Sequence, residues 1–318
     1  LVVAILSREE IPDLSGYGLI LAAGGGSLII KIIDKNHLDS KSVRRAPVIS
    51  FFPGIVHPFQ LNAYLTRILS DIVLCNSTKD YLLHAKICSR LNVSPNALKF
   101  GCPWIEGNIS RSGSSRKLHI IAEQDHVPKK ECELFSFVDK IILLLKKFPN
   151  ERFGLLPHPN GSRLKDFFKN TQYDNFEILN SGLDWTCVKS VLTVSSSIAL
   201  EALSKGIPLQ LIKDYDKAYN YAHFFRGSGL FKYLHEFDPN FQSEANKKWL
   251  LLNLVIPTDK SFSELSAQIN MPLKDRILEH RVRIRTLITK FPEFFILRPM
   301  ISLRHFISAI RVLSYAYK

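Results

Sequence analysis

Three consecutive serines follow an apolar strand pattern in the second half of the chain. Ser195, Ser196 and Ser197 come directly before the helical pattern Ile198–Lys205. Hydroxyls at the first turn of a helix lie beside unpaired backbone N–H groups and the positive end of the helix dipole, which favours an anion. An ordinary N-cap accounts for one of the three hydroxyls. The segment therefore predicts a phosphate site, in which Glu201 accepts hydrogen bonds from a ribose or caps the helix.

A histidine held between two prolines ends another strand pattern. His158 lies between Pro157 and Pro159, directly after Arg152–Leu156, and Asn160 follows. Proline restricts the backbone on either side, so the imidazole is presented rigidly at the carboxyl end of the strand. Its unperturbed pKa lies near physiological pH, so it could donate to a phosphate or protonate a leaving group. We predict that His158, Pro159 and Asn160 line the phosphate site, with a purely structural histidine as the alternative.

Two carboxylates follow the strand pattern His119–Ala122. They are Glu123 and Asp125, with Gln124 between them. A reaction that removes a proton from a hydroxyl group needs a base near the binding crevice. Acidic residues at strand ends are also common in turns, and His57, in the first third of the chain, is a rival base. Glu123, Asp125 and His57 are therefore alternative candidates for this role.

Strand and helix patterns alternate with short connections from Leu118 to Ile212. The first hundred residues follow the same order, with strand patterns that end in small or polar residues such as Gly24 and Gly54. This alternation is typical of α/β proteins with doubly wound parallel sheets. Ligands bind such sheets at the carboxyl ends of the strands.

A Ser- and Gly-rich stretch at 107–115 is the best candidate for a linker. We therefore predict two α/β domains, 1–112 and 113–255, followed by a basic helical segment, 256–318. Leu1–Leu6 already has a strand pattern, so we expect the numbering to begin inside a domain.

Composition narrows the class of protein. A chain of 318 residues with 46% hydrophobic content can bury large cores, which excludes a disordered tail and a small disulfide scaffold. No apolar run reaches the roughly 20 residues needed to cross a bilayer. The five cysteines form no CxxC pair, which indicates reduced thiols rather than disulfides or a zinc site. The chain contains neither GxGxxG nor GxxxxGK[ST], so dinucleotide-dependent and kinase-like readings lose their main support.

The net charge of +13 is concentrated near the C-terminus. Nine basic and two acidic residues lie between Arg276 and Lys318, and Ile301–Tyr317 has the pattern of an amphipathic basic helix. Such a helix packs on the protein's own core or on an anionic membrane surface, and a solvated helix face would carry the same charge.

Together these motifs resemble bacterial surface-polysaccharide glycosyltransferases of the GT-B type. The likeness covers roughly residues 15–235 and rests on four segments. They are Pro53-Gly54-Ile55, Gln124 to Pro128, Ser196 to Ala202, and Gly227-Ser228-Gly229-Leu230. The His-Pro and Ser-Ser elements are also similar to those of bacterial polysialyltransferases and related capsule enzymes that use CMP-activated sialic acid or Kdo. Their acidic motif, two acids followed by Gly, is replaced here by Glu123-Gln124-Asp125.

The resemblance implies two facing Rossmann-like domains and an inverting, single-displacement transfer of a sugar to a glycan hydroxyl. The nucleotide-sugar site would then comprise His158, Pro159, Asn160, Ser195, Ser196, Ser197, Glu201 and Gln124. Gly24, Gly25, Gly26, Ser27 and Gly54 would form the acceptor side. No metal or other cofactor is expected, because a helix start and an imidazole could hold the leaving phosphate. Asp214-Tyr215-Asp216 is interpreted as a turn rather than a metal site.

Three alternatives stay open. The enzyme could use a UDP-hexose or transfer a polyol phosphate from a CDP-polyol. The chain could be a non-catalytic scaffold of a capsule assembly complex. A nucleic-acid-binding protein would also be basic, but its charge would be interleaved with aromatic residues along one groove rather than gathered at one end.

The predicted partners are a nucleotide sugar, an oligosaccharide or lipid-linked acceptor and an anionic membrane surface, and no nucleic acid is expected. The predicted location is the cytoplasm, at or near the inner membrane.

Overall fold

The structure is a computed structural model of the chain. Apart from single positions, it describes residues 11–39, 46–56, 60–105, 117–124, 130–159, 161–170, 173–179, 183–215 and 224–270, with isolated positions between 279 and 289. These residues form two compact units. The terminal unit contains the described residues up to Pro103 and those from Leu252 onward, and the central unit contains those between Trp104 and Leu251.

The terminal unit is built on a four-stranded parallel sheet in the order β1-β2-β3-β4. Every residue of the third strand is buried, as expected for a strand covered by helices on both faces. The strands are β1 (Ile20–Ala23), β2 (Val48–Phe51), β3 (Ile72–Cys75) and β4 (Ala97–Lys99), and the helices between them are α1 (Gly26–Asp39), α2 (Leu61–Arg67) and α3 (Thr78–Leu91).

Side chains fix both ends of α3. The Ser77 hydroxyl accepts a hydrogen bond from the Asp80 N–H at 3.0 Å, and Asn92 ends the helix in the left-handed conformation with φ +56°. The buried Asp80 carboxylate accepts hydrogen bonds from the Ser77 hydroxyl and from the Tyr64 hydroxyl of α2. Burial raises the pKa of Asp80. Asp80, in the first turn of α3, therefore joins α3 to α2.

The chain returns to the terminal unit through α7 (Lys247–Asn253) and α8 (Asp259–Ile269). The Cys102 N–H donates to the Val255 carbonyl at 3.0 Å. Gly101 has φ +107°, and a Cβ there would lie 2.7 Å from the Val255 carbonyl oxygen, so glycine permits this close approach. Leu265 and Ile269 of α8 then pack against the core of the first sheet.

The central unit contains a six-stranded parallel sheet in the order β10-β9-β8-β5-β6-β7. This order, with the first strand of the unit in the middle and the connections running outward from it, is that of a doubly wound Rossmann sheet. Its strands are β5 (Leu118–Ala122), β6 (Arg152–Leu156), β7 (Phe176–Ile178), β8 (Val188–Thr193), β9 (Leu209–Ile212) and β10 (Phe231–Lys232), and its helices are α4 (Glu131–Lys147), α5 (Arg163–Phe168) and α6 (Ile198–Ser204).

The predicted α/β class with two parallel sheets is confirmed. Sequence periodicity placed the longest helix at Glu131–Phe148, and α4 spans Glu131–Lys147. The predicted strand at Leu1–Leu6, the linker at 107–115 and the helix at Ile301–Tyr317 lie outside the described residues. The structure divides into units after Pro103 and after Leu251, whereas the predicted domain boundaries follow residues 112 and 255.

All five cysteines are free, and three of them, Cys75, Cys88 and Cys102, are buried in the terminal unit. Burial raises the pKa of the Cys75 and Cys88 thiols, which keeps them protonated. Among the helices that the structure describes, none is long and apolar enough to cross a membrane.

A buried histidine in α3 makes the stability of the terminal unit depend on pH. Asn96 donates its side-chain N–H groups to the carbonyls of Ile68 and Ser70, so its oxygen must accept the hydrogen bond of 2.8 Å from His84 Nε2. His84 Nδ1 has no partner among the described residues. Burial lowers the pKa of His84 to about 4.

We expect acid to destabilise the protein through His84. The unfolded chain binds a proton at this residue near pH 6.5 and the folded chain only near pH 4, so stability is lost as pH falls through this window. The contribution is about 3 kcal/mol in the free energy of unfolding. Urea unfolding of the wild type and of His84→Gln, which keeps a donor for Asn96, at pH 7 and pH 4 measures it. Equal pH dependence in the two proteins would contradict this assignment.

Gly26, the first residue of α1, packs against Thr66 of α2. A Cβ at Gly26 would lie 2.7 Å from Thr66 Cγ2 and 2.8 Å from its Oγ1. We expect Gly26→Ala to lower the free energy of unfolding by about 1–3 kcal/mol, because two helices must move apart. Gly25→Ala is the matched control, since a Cβ there meets nothing within 4 Å. Thr66→Ala should relieve part of the cost in a double-mutant cycle, and a loss that Thr66→Ala leaves unchanged would argue against the clash.

Candidate functional site

The carboxyl edge of the central sheet collects most of the predicted nucleotide-sugar residues. β5 lies between β6 and β8, and the connections leave it in opposite directions. In such sheets the point where strand order reverses opens a crevice beyond the strand ends. Gln124 follows β5, His158 follows β6 and the three serines follow β8. Residues as far apart in sequence as Gln124 and Ser197 thus share one edge.

Ser195 joins the two strands that border this crevice. Its hydroxyl donates to Gln124 Oε1 at 2.6 Å, and its side chain is buried. Two positions earlier in each strand, the Thr193 hydroxyl donates to the Ala122 carbonyl at 2.9 Å. Both contacts bridge the ends of β5 and β8. Ser195 therefore has a structural partner, and its role differs from that of the two serines that follow it.

Ser196 and Ser197 lie at the start of α6 and are half-buried. Ser197 occupies the N-cap position but has helical backbone angles, and its side chain accepts no hydrogen bond from the first turn. The Ser196 N–H donates to the Thr193 hydroxyl at 3.4 Å. The ordinary N-cap interpretation does not describe Ser197. Its hydroxyl takes no part in capping α6.

Glu123 is buried and serves as an acceptor for backbone N–H groups. Its Oε1 accepts from the N–H groups of Arg163 and Leu164 at 2.8 and 2.9 Å, and its Oε2 accepts from the His158 N–H at 3.4 Å. The first two donors belong to the first turn of α5, which carries a partial positive charge. The geometry is that of a positioning residue that anchors α5 and the turn around His158. A role for Glu123 as base stays a prediction.

His158 stands in a turn that is fixed at both ends. Its carbonyl accepts from the Gly161 N–H at 3.1 Å, and its own N–H reaches Glu123. Gly161 has φ +128°, a conformation that favours glycine. The His158 side chain is half-buried and Pro159 is exposed. Gly161 is not among the residues predicted from the sequence, although an Asn-Gly pair is a common turn signal.

The structure describes only some of the other predicted site residues. Asp125, Asn160 and His57 lie outside the described residues, so their roles stay predictions. Glu201 lies in the first turn of α6 and is half-buried.

The predicted acceptor-side residues belong to the terminal unit. Gly24 and Gly25 follow β1, Gly26 and Ser27 begin α1, and Gly54 lies in the turn after β2. The turns that contain Gly24 and Gly54 follow two neighbouring strands of one parallel sheet. This placement agrees with the general location of ligand sites at strand ends.

The carboxylate of Asp214, in the Asp-x-Asp tripeptide, binds other groups of the protein. Asp214 lies in a short 3-10 helix, Lys213–Tyr215. Its carboxylate pairs with Lys140 at 2.5 Å and accepts from the Leu234 N–H at 3.0 Å. No group of three or more metal-ligating side chains occurs among the described residues.

A row of hydrogen-bonded polar side chains lies in the amino-terminal half of the central sheet. Ser190 Oγ lies 2.7 Å from His119 Nδ1, and His119 Nε2 lies 3.0 Å from the Glu151 carboxylate. The order of groups is that of a nucleophile, a base and an acid. His119 is 0% and Ser190 1% exposed, so no substrate reaches them. Burial lowers the pKa of His119, and the network serves the packing of the sheet.

The solved structures that match the chain are distant in sequence. UDP-GlcNAc 2-epimerase from Methanocaldococcus jannaschii, in complex with UDP-GlcNAc and UDP, is 10% identical over 80% of this chain and 76% of that chain, with a TM-score of 0.47. MnaA of S. aureus, in a co-structure with UDP, is 11% identical over 90% and 77%, with a TM-score of 0.44. CalG4, the calicheamicin glycosyltransferase, is 11% identical over 95% and 74%, with a TM-score of 0.38.

Among proteins with curated descriptions, none matches the chain. The match to a family model is extensive. The family described as "Putative glycosyltransferase (DUF6716)" matches residues 6–152 and 182–271, more than half of the sequence, and the chain belongs to this family.

Proposed function

We propose that the chain transfers a sugar from a nucleotide-activated donor to a hydroxyl group of a glycan acceptor, and that the donor phosphate binds at the carboxyl edge of the central sheet. The observation that carries this proposal is the placement of His158 and of Ser196 and Ser197 on opposite sides of β5. Membership of the family supports the reaction class.

The geometry suits a phosphate between two strand ends. β6 and β8 both pair with β5, so their ends are about 10 Å apart, twice the usual spacing between strands. A phosphate in this gap would meet the His158 imidazole on one side and the serine hydroxyls on the other. Negative charge grows on the phosphate as its bond to the sugar breaks. Donors fixed in advance at this position lower the barrier because they need no reorganisation.

In the proposed step the acceptor oxygen attacks the anomeric carbon as its proton passes to a base. The bond between the anomeric carbon and the phosphate oxygen breaks, and its electron pair leaves with the phosphate, so the configuration at the anomeric carbon inverts. Asp125 or His57 would be the base. We assign Glu123 to positioning, because backbone donors already contact both of its carboxylate oxygens. The step as written requires no metal at the phosphate.

The donor is proposed to be a CMP-activated acidic sugar, sialic acid or Kdo, and the product a bacterial surface polysaccharide. The support is the likeness of the His-Pro and Ser-Ser elements to those of capsule enzymes. A UDP-sugar and a CDP-polyol stay as alternatives because the phosphate site alone is common to all three. Binding at an anionic membrane would involve the basic tail, which lies outside the described residues.

A thermal-shift panel of CMP, CDP, UDP and GDP tests the site. A nucleotide present at 100 times its Kd stabilises the folded state by about 2.7 kcal/mol, so one member of the panel should raise the Tm clearly. The double variant Ser196→Ala/Ser197→Ala should lose this shift. Ser204→Ala, at the opposite end of the same helix, is the matched control and should keep it. A panel without any shift, or a shift that survives the double variant, would remove the proposed site.

Replacement of His158 tests the enzyme class. We expect His158→Ala to lower kcat for transfer by about 10²–10³, the usual cost of removing one donor to a developing negative charge. The shift in Tm caused by the nucleotide should persist in part, because the serines remain. A scaffold protein would show no transfer in the wild type, and a nucleic-acid-binding protein would show salt-dependent binding of DNA or RNA in place of the nucleotide shift.

A further inference from the structure

Gln124 lies at the centre of the proposed phosphate site. It follows β5, the strand at which the order of the central sheet reverses, and the ends of β6 and β8 lie on either side. His158 follows β6 and Ser196 follows β8. Neighbouring strands are about 5 Å apart, so a group that fills the gap between His158 and the serines lies over the end of β5. Gln124 occupies this strand end.

A hydrogen bond fixes the orientation of the Gln124 amide. The Ser195 hydroxyl donates to Oε1 of Gln124 at 2.6 Å, and Ser195 is only 6% exposed. The carbonyl half of the amide is thereby turned toward Ser195, which follows β8. A serine hydroxyl has a single proton to donate, and Ser195 donates it to Gln124. Ser195 therefore has no proton left for a phosphate oxygen.

The amino half of the same amide is open. Among the described residues, Nε2 of Gln124 has no hydrogen-bond partner, and it does not belong to their buried unpartnered atoms, so solvent reaches it. The side chain as a whole is half-buried. A side-chain amide nitrogen carries two N–H groups and accepts no hydrogen bond. Nε2 therefore binds an atom that offers a lone pair.

Other side-chain amides of the chain use their N–H groups differently. Five of them donate to backbone carbonyls and so hold the backbone in place. They are Asn36, Asn76, Asn96, Asn175 and Gln210. Gln124 instead presents its N–H groups at a strand end where sheets of this kind bind ligands. Support of the backbone therefore does not account for its Nε2.

A phosphate oxygen suits this pair of donors. Phosphate oxygens carry negative charge, and hydrogen bonds to a charged acceptor are roughly twice as strong as those between neutral groups. The neighbouring carboxylate of Glu123 would oppose an anion, but backbone N–H groups at His158 and at the start of α5 offset its charge. The local groups thus favour an anionic acceptor at Gln124.

We infer that Gln124 donates from Nε2 to an oxygen of the donor phosphate, and that Ser195 is a positioning residue that sets the orientation of this amide. The inference rests on the proposed function, which places the phosphate at this edge of the central sheet. It involves only groups of the central unit. The amide and the His158 imidazole then both face the charge that grows on the phosphate as its bond to the sugar breaks. Without Ser195 the amide is free to turn and present its carbonyl oxygen, which repels a phosphate.

Gln124→Glu tests the contact, and Gln242→Glu is the matched control. A glutamate side chain has nearly the same shape and still accepts from Ser195, but it replaces the two N–H groups with a negatively charged oxygen. Gln242 is exposed and precedes Ser243, whose hydroxyl accepts from the Leu209 N–H at the start of β9. The control therefore makes the same change in charge near the opposite edge of the sheet.

Calorimetric titration measures the Kd for the member of the CMP, CDP, UDP and GDP panel that raises the Tm of the wild type most. Gln124→Glu should raise this Kd by about tenfold or more, because a hydrogen bond to a charged group is lost and a like charge takes its place. Gln242→Glu should change it by less than about twofold, the expectation for a remote exposed charge. Gln124→Ala, which adds no charge, repeats the measurement if the glutamate variant does not fold.

A double-mutant cycle tests the role of Ser195. Ser195→Ala should raise the Kd by about threefold to tenfold when Gln124 is present, because the amide no longer has a fixed orientation. In the Gln124→Ala background it should raise the Kd no further. A serine that only joins the ends of β5 and β8 would weaken binding equally in both backgrounds, and that result overturns the positioning role.

The remaining outcomes separate this inference from the proposed function. An unchanged Kd in Gln124→Glu and Gln124→Ala, beside a loss of binding in Ser196→Ala/Ser197→Ala, overturns the inference and leaves the proposed function standing. An equal rise in Gln242→Glu would make the effect one of net charge and also overturns the contact. A wild type that binds no nucleotide overturns both proposals.

Discussion

The turns that follow parallel strands contain backbone groups without partners in the sheet, and each such group left unpaired in the interior costs about 1–3 kcal/mol. In each unit a buried side chain pairs with several of these backbone groups. In the central unit the Glu123 carboxylate accepts from backbone N–H groups at the start of α5 and at His158. In the terminal unit the Arg67 guanidinium donates to the carbonyls of Gly24 and Phe51. These hydrogen bonds hold the start of α5 and the His158 turn in the central unit, and the ends of β1 and β2 in the terminal unit.

In the central unit, the residues that hold the backbone differ from those that are proposed to bind the ligand. Glu123 and Ser195 are buried and hydrogen-bonded to protein groups, whereas His158 and Ser197 are half-exposed at the same sheet edge. A carboxylate with several fixed donors resists movement, because the loss of any one bond leaves a buried charge less well solvated.

Buried polar networks elsewhere in the chain show that reactive residue types do not by themselves identify a site. His119, Ser190 and Glu151 have the order of a catalytic triad, yet the serine and histidine are sealed within the sheet. Tyr64 and Asp80 are joined by a short hydrogen bond between two helices. In each case burial excludes substrate, and the polar groups specify how neighbouring elements pack. Accessibility at the strand ends distinguishes the His158 turn from these networks.

The sequence by itself determined the α/β class, the parallel sheets and the strand ends that carry His158 and the serines. Alternating periodicity and turn residues are local signals, so the predicted helix Glu131–Phe148 and strand Val188–Val194 match α4 and β8 to within one residue. Only the tertiary structure decided which polar side chains are partners. Glu123 contacts residues 35 to 41 positions away, and Arg67 contacts Gly24 at a separation of 43. Such pairings depend on strand order and helix docking, which periodicity does not encode. From Leu252 onward the chain belongs to the terminal unit again, and this return depends on the same long-range packing.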